Sequence, residues 1–205
     1  MEWMERHFLI LSFVVLLLTA IPFYVRFETR AIKAEEIVLM ASLASLAAVG
    51  RIPFAALPGV QPSSFIIIMS GIMLGPESGF MIGSTTALAS NLFLGQGPWT
   101  PWQMMAWGLM GFSAGLLRKH AWMKRKGGLS ILGFAWGFLF GWIMNLWFLL
   151  GFFQPLSWQI WVSAFVASFY FDLAHALTNA LLLWSFSRHW RKVLERMIRK
   201  FGLLS

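Results

Sequence analysis

Long apolar runs separated by short polar breaks make up most of the chain: His7–Val25, Ala34–Gly50, Pro62–Gly75, Ser78–Gly95, Pro101–Leu117, Leu129–Gly151 and Gln159–Ser187. A helix needs roughly 17–25 mostly apolar residues to cross a bilayer, so the pattern predicts seven spanning helices with short connections. The third run is the exception. Its residues, about 14, make a helix of roughly 21 Å, short of a hydrocarbon core about 30 Å thick. It suits a tilted, partly buried span or half of a re-entrant pair, and we favour the span. Gly75-Pro76-Glu77-Ser78 supplies a break and then a helix start, with proline in the first turn and a carboxylate near the positive helix end. The first run follows Glu2, Glu5 and Arg6 and ends without a small-residue cleavage site, so it reads as an uncleaved anchor rather than a signal peptide.

Charge then orients the runs. Lys and Arg collect on the cytoplasmic side of membrane proteins. With seven spans, an outside N-terminus and an inside C-terminus, one face carries Arg26, Arg30 and Lys33, then Arg118, Lys119, Lys124, Arg125 and Lys126. The same face carries Arg188, Arg191, Lys192, Arg196, Arg199 and Lys200, so that of the 16 basic residues only Arg6 and Arg51 fall outside. Six or eight spans would scatter these clusters over both faces. The formal net charge of +8 is therefore read as topology and attraction to lipid headgroups, and no nucleic-acid partner is expected.

Composition narrows the chemistry. Hydrophobic residues are 59% and charged residues 12% of the 205, against about 25% charged in soluble domains, which points to a polytopic membrane protein. With no cysteine, disulfides, thiolate nucleophiles, thiolate zinc sites and iron–sulfur clusters are excluded. No phosphate-binding Gly-x-x-x-x-Gly-Lys-Ser/Thr motif occurs. Uphill transport would thus need a partner that hydrolyses ATP, and no intrinsic cofactor or metal is expected.

Small residues spaced i, i+4 mark close helix contacts in membranes. Gly133, Gly137 and Gly141 form one stripe, Gly111 and Gly115 another, Gly79 and Gly83 a third, and all read as packing within the chain. The second run is different, because Ala41, Ala44, Ser45, Ala47 and Ala48 cover almost a whole flank. One neighbouring helix does not need so wide a surface, so docking to another membrane subunit stands beside ordinary packing.

Polar residues inside a membrane are costly and are candidates for function. Asp172, His175 and Asn179 lie at i, i+3 and i+7 on one face of the last helix. They serve either as a cluster bracing the bundle or as a ligand or coupling site. A catalytic Asp172–His175 pair is weaker, since no serine or cysteine nucleophile is placed by a motif beside it. Asn145 and Asn91 are further intramembrane amides. Between the fourth and fifth runs, two glycines and two prolines shape a tight turn that carries Gln96, Trp99, Trp102 and Gln103. Trp158 and Trp161 fall at the same face. An aromatic interfacial belt explains some of these rings, yet amides among aromatics suit a concave ligand site. The other outer loop, Gly50 to Gln61, adds Arg51, Pro53, Pro58 and Gln61 as a lid over an outward pocket for a large, flat, partly apolar ligand.

The run Gly71-Ile72-Met73-Leu74-Gly75-Pro76-Glu77-Ser78-Gly79-Phe80 is followed by Ser90-Asn91 and by Gly95-Gln96-Gly97-Pro98-Trp99-Thr100-Pro101-Trp102-Gln103-Met104. Together they resemble the substrate-binding S components of energy-coupling factor (ECF) transporters, most closely the subgroup associated with cobalamin. The Ala41–Ala48 flank, Gly50-Arg51, Asn145 and Asp172-x-x-His175-Ala176-x-x-Asn179 also fit, and the similarity covers roughly residues 34–190.

The resemblance implies a non-enzymatic, multi-pass subunit of a bacterial cell membrane. Its six-helix vitamin-binding domain occupies residues 34–190, between an extra anchor with a basic linker (1–33) and a basic cytoplasmic tail (191–205). It implies partners as well: a transmembrane coupling protein, docked through Ala44–Ala48 with Ala41–Ser45 as a looser match, and two ATPase subunits. The expected substrate is cobalamin or a related corrinoid, with riboflavin or a queuosine precursor as the alternative. Asn91, Gln96, Trp99, Trp102 and Gln103 would line the pocket under a lid holding Arg51 and Gln61. Asn145, Asp172, His175 and Asn179 would form or brace its floor. The first helix departs from the family pattern and puts the N-terminus outside. Cobalt and nickel relatives use an N-terminal Met-His site, whereas this chain begins Met1-Glu2-Trp3.

Overall fold

The apolar runs fold into seven α-helices in the computed structural model, which describes residues 2–29, 32–153 and 157–203. In chain order these are α1 (Glu2–Glu28), α2 (Ala34–Arg51), α3 (Pro62–Leu74), α4 (Pro76–Leu94), α5 (Thr100–Leu117), α6 (Lys126–Phe152) and α7 (Trp158–Lys200). Short 3-10 turns at Ile52–Phe54 and Ala121–Lys124 complete the secondary structure, and no strand occurs among the described residues. Among the described residues, three stretches, Ala34–Phe54, Lys126–Phe152 and Trp158–Lys200, are long and apolar enough by length and composition to cross a membrane.

α3 has 13 residues and is the central helix. It packs against α2, α4, α5 and α7, and Ile67, Ile68 and Met69 are wholly buried. A helix apolar on every side is stable only when surrounded, which accounts for a segment too short and too uniformly hydrophobic to sit at the rim. Its end and the start of α4 share Gly75, whose φ of 105° suits a residue without a Cβ.

The glycine stripes set the helix spacing. Gly71 and Gly79 abut the backbone of Gly111, Gly83 abuts Trp107, and Gly115 abuts Pro76, so α3, α4 and α5 approach nearly backbone to backbone. Gly137 meets Ala176, while Gly133 meets Leu183 and Asn179, joining α6 to α7 in the same way. Such contacts maximise dispersion where lipid removes the hydrophobic drive between helices.

Contacts gather the basic segments at one end. Arg26 pairs with Glu77 at 3.0 Å, Lys33 Nζ donates to the Gly202 carbonyl at 2.5 Å, and Arg191 donates to the Met123 carbonyl at 3.3 Å. Arg30, placed by the sequence in the same cluster, lies outside the described residues. The basic tail is continuous with α7, a helix of 43 residues. That is about 65 Å, twice the thickness of a bilayer core. α1 packs on α4, α5 and α6: Phe23 stacks on Phe80 at 4.0 Å, and Trp102 Nε1 donates to Ser12 Oγ at 3.0 Å.

Candidate functional site

At the end opposite the basic clusters, the last residue of α2 is a hub. Arg51 Nη1 donates to Ser90 Oγ at 2.9 Å and to Asn91 Oδ1 at 2.8 Å. Its guanidinium lies 4.9 Å from the centre of the Trp107 ring, within range of a cation–π attraction. Asn91 passes the network on, its Nδ2 donating to Thr100 Oγ1 (3.0 Å) and Gln103 Oε1 (2.8 Å). Thr100 Oγ1 in turn donates to Gln96 Oε1 at 2.9 Å, and Gln96 Nε2 donates to the Leu88 carbonyl at 2.9 Å. The amides singled out in the turn between α4 and α5 thus form one connected frame around Arg51.

A second chain of contacts leads from the Trp107 ring into the centre. Trp107 Nε1 donates to Ser64 Oγ at 3.3 Å, and Ser64 Oγ lies 2.7 Å from His175 Nε2. The imidazole also meets Phe140 edge-on at 5.2 Å. Side chains from α2, α3, α5, α6 and α7 therefore meet at one polar axis. A buried network of this kind holds its members rigidly once each is satisfied.

Above the hub the loop after α2 roofs a cleft of about 340 Å³, lined by Arg51, Gln61, Phe54, Leu57, Leu94 and Phe171 among others. The loop is pinned to α7 at Gly59, whose φ of 76° and close approach to the Phe171 backbone leave no room for a side chain. Gln61 Oε1 is buried without a hydrogen-bond partner. Arg51 and Gln61 thus bring a guanidinium and an amide to the lining of a cleft with several apolar faces, a combination that fits a ligand with both polar edges and an apolar body.

The other expected site residues lie elsewhere. Trp99 meets Trp147 at 6.0 Å, and Trp102 is buried against α1. Trp158 and Trp161 line an aromatic groove between α6 and α7 together with Asp172. Asp172 Oδ2 accepts from Ser168 Oγ at 3.0 Å, and Asn145 Nδ2 donates to the same hydroxyl at 2.8 Å. Asn179 Nδ2 donates to the Gly133 carbonyl at 3.1 Å. The shared helical face of Asp172, His175 and Asn179 is thus divided among three different partners. Ser64, Ser90, Thr100, Trp107 and Phe171, which complete the network and the cleft, were not legible as site residues. Serine and threonine are common in apolar helices, where they bond back to their own helix, as Ser70 and Thr86 do here.

On α2, Ala44 and Ala48 are 3% and 2% exposed and face the chain's own core, whereas Ala41 and Ser45 are exposed. The open flank continues through Ile37, Val38 and Val49.

No curated protein and no solved structure matches the chain. A family model described as ECF transporter, substrate-specific component, matches residues 35–185, from the start of α2 through most of α7. With three-quarters of its length accounted for by that match, the chain belongs to the family of substrate-specific components of ECF transporters.

Proposed function

We propose that the chain is the substrate-capture subunit of an ECF importer, binding a vitamin at the charge-poor end of its bundle for uptake driven by ATP hydrolysis in partner subunits. Substrate-specific components are transporter subunits and not enzymes, so Asp172 and His175 need no catalytic role. The observation that carries the reading is the cleft whose lining brings the Arg51 guanidinium and the Gln61 amide to one ligand. Asn91, Gln96 and Gln103 hold the guanidinium in place, and Trp99 and Trp102 anchor the turn that carries them. His175 braces the site from below, while Asn145, Asp172 and Asn179 brace the α6–α7 pair.

The chain crosses the bacterial plasma membrane seven times in this reading, with the cleft outside and the basic end in the cytoplasm, where Lys and Arg are retained. A coupling protein with two ATPase subunits completes the importer, and it docks on the exposed Ala41–Ser45 flank of α2.

A corrinoid is the lead substrate, supported by the resemblance of the turn between α4 and α5. At about 340 Å³ the cleft lies near the lower limit for small-molecule sites, so a corrinoid requires the loop over it to move outward. That volume favours a second reading, a smaller ring system such as a flavin or a queuosine precursor, which fits with the loop closed. Thermal-shift titration of the purified protein against corrinoids, flavins, pterins and queuosine precursors separates the two. One class should stabilise the protein saturably, and saturable binding by none of them would sink the proposal.

A further inference from the structure

Far from the cleft, at the basic end, a cavity of about 260 Å³ opens between the start of α6 and the last third of α7. Its α7 wall is one helical stripe, Ser187, Arg188, Arg191, Lys192 and Glu195, and Lys124 and Lys126 face it from the other side. Five cations against one carboxylate give the cavity a strong positive field.

Charge alone would describe any cytoplasmic rim. What distinguishes this cavity is Ser187, a lining residue only 2% exposed whose hydroxyl has no hydrogen-bond partner. A buried, unanswered hydroxyl is costly, and here it belongs to a residue in the wall of a space ringed by cations. Arg191 is held in place by its bond to the Met123 carbonyl, and Lys126 lies over the Trp184 ring at 6.0 Å. Leu129, 2% exposed, gives the same cavity an apolar floor.

We propose that this cavity is a binding site for a phosphate group, and that its occupant is the headgroup of an anionic phospholipid. A phosphate oxygen would accept from the Ser187 hydroxyl, and the surrounding cations would neutralise its charge, as charge-assisted bonds to phosphate require. A lipid is favoured over a free anion because the site sits where a membrane helix passes into a basic tail. There, anionic headgroups are concentrated against clustered Lys and Arg.

The test is native mass spectrometry of the full chain released from nanodiscs containing equal phosphatidylglycerol and phosphatidylcholine. One phosphatidylglycerol should remain bound in preference to phosphatidylcholine. Lys124→Gln/Arg188→Gln/Lys192→Gln alters only exposed side chains and should abolish the preference, while Ser187→Ala should weaken it. The control Lys119→Gln/Arg196→Gln/Lys200→Gln removes the same charge outside the cavity and should leave retention intact. Equal retention of both lipids, or equal loss in the control, overturns the proposal. Inorganic phosphate is added separately to delipidated protein. Saturable stabilisation by it, with no lipid retained, would assign the cavity to a free anion and overturn the lipid assignment. Vitamin binding at the distant cleft should be unaffected by these variants, so failure of one site leaves the other standing.

Discussion

Arg51 Nη1 lies 2.8 Å from Asn91 Oδ1, a bond that ties the end of α2 to the end of α4 and aims the guanidinium at the cleft. The two residues are 40 positions apart in the chain. Asn91 is 1% exposed, so its oxygen has no water to fall back on.

Replacing Arg51 with Met should therefore do two things. It leaves buried acceptors without a donor, at a cost of about 1–3 kcal/mol, and it removes the cation from the cleft. Ligand affinity should fall by more than about tenfold, or roughly 1.4 kcal/mol, alongside a lower unfolding temperature. Arg51→Lys keeps the charge but loses the planar fork, and should recover only part of the affinity. Isothermal titration of the three proteins checks the order; full affinity in Arg51→Met would remove Arg51 from the site.

Ser64 has an equally specific expectation. Its hydroxyl joins Trp107 Nε1 to His175 Nε2, and all three residues are buried. Ser64→Ala strands both partners, and about 2 kcal/mol of stability should be lost, measured by thermal unfolding in detergent. Stability equal to the parent protein would mean that the contact is not part of the bundle's framework.

The two faces of α2 should separate folding from coupling. Leu at Ala48, which is 2% exposed, must push into packed neighbours, and overpacking of this kind costs about 1–3 kcal/mol. This variant should express poorly or unfold early. Leu at the exposed Ser45 should leave stability and ligand binding unchanged while reducing uptake by the assembled transporter. Normal uptake in the Ser45 variant would place the coupling surface elsewhere.

Asp172→Asn tests whether the aromatic groove belongs to the ligand site. Asparagine can still accept from Ser168, and it cannot ionise in an apolar setting where charges are expensive. Ligand affinity should be unchanged and stability equal or higher. A large loss of affinity would bring Asp172, and the groove it shares with Trp158 and Trp161, into the binding site.

Much of the architecture was legible before any tertiary contact. The runs at Pro62–Gly75 and Pro101–Leu117 anticipate α3 and α5 to within a residue, because proline and glycine punctuate helices for local steric reasons. The last apolar run stops at Ser187, whereas α7 runs on to Lys200. A basic amphipathic tail can extend a membrane helix without adding to its apolar run. The glycine stripes mark packing within the chain, as their contacts with Gly111, Trp107 and Ala176 demonstrate.

The candidate site was only half legible. Asn91, Gln96, Gln103 and Arg51 could be named because amides and cations are rare and costly in an apolar chain. Ser64 and Trp107 could not, since neither residue type is unusual there. The inward turn of Ala44 and Ala48 was equally hidden, because an i, i+4 pair of small residues looks the same whether it meets a neighbour or a partner.

Taken alone, the sequence determined an all-helical membrane chain, the apolar core of each helix and the sorting of its charges, all of which follow from local hydrophobicity and turn chemistry. Tertiary structure decided which polar residues meet. Arg51 with Asn91 and Ser64 with His175 depend on how each helix is rotated about its axis and how closely it approaches the next. Those quantities are set by the fit of glycine against backbone across helices distant in sequence, and periodicity within one helix does not contain them.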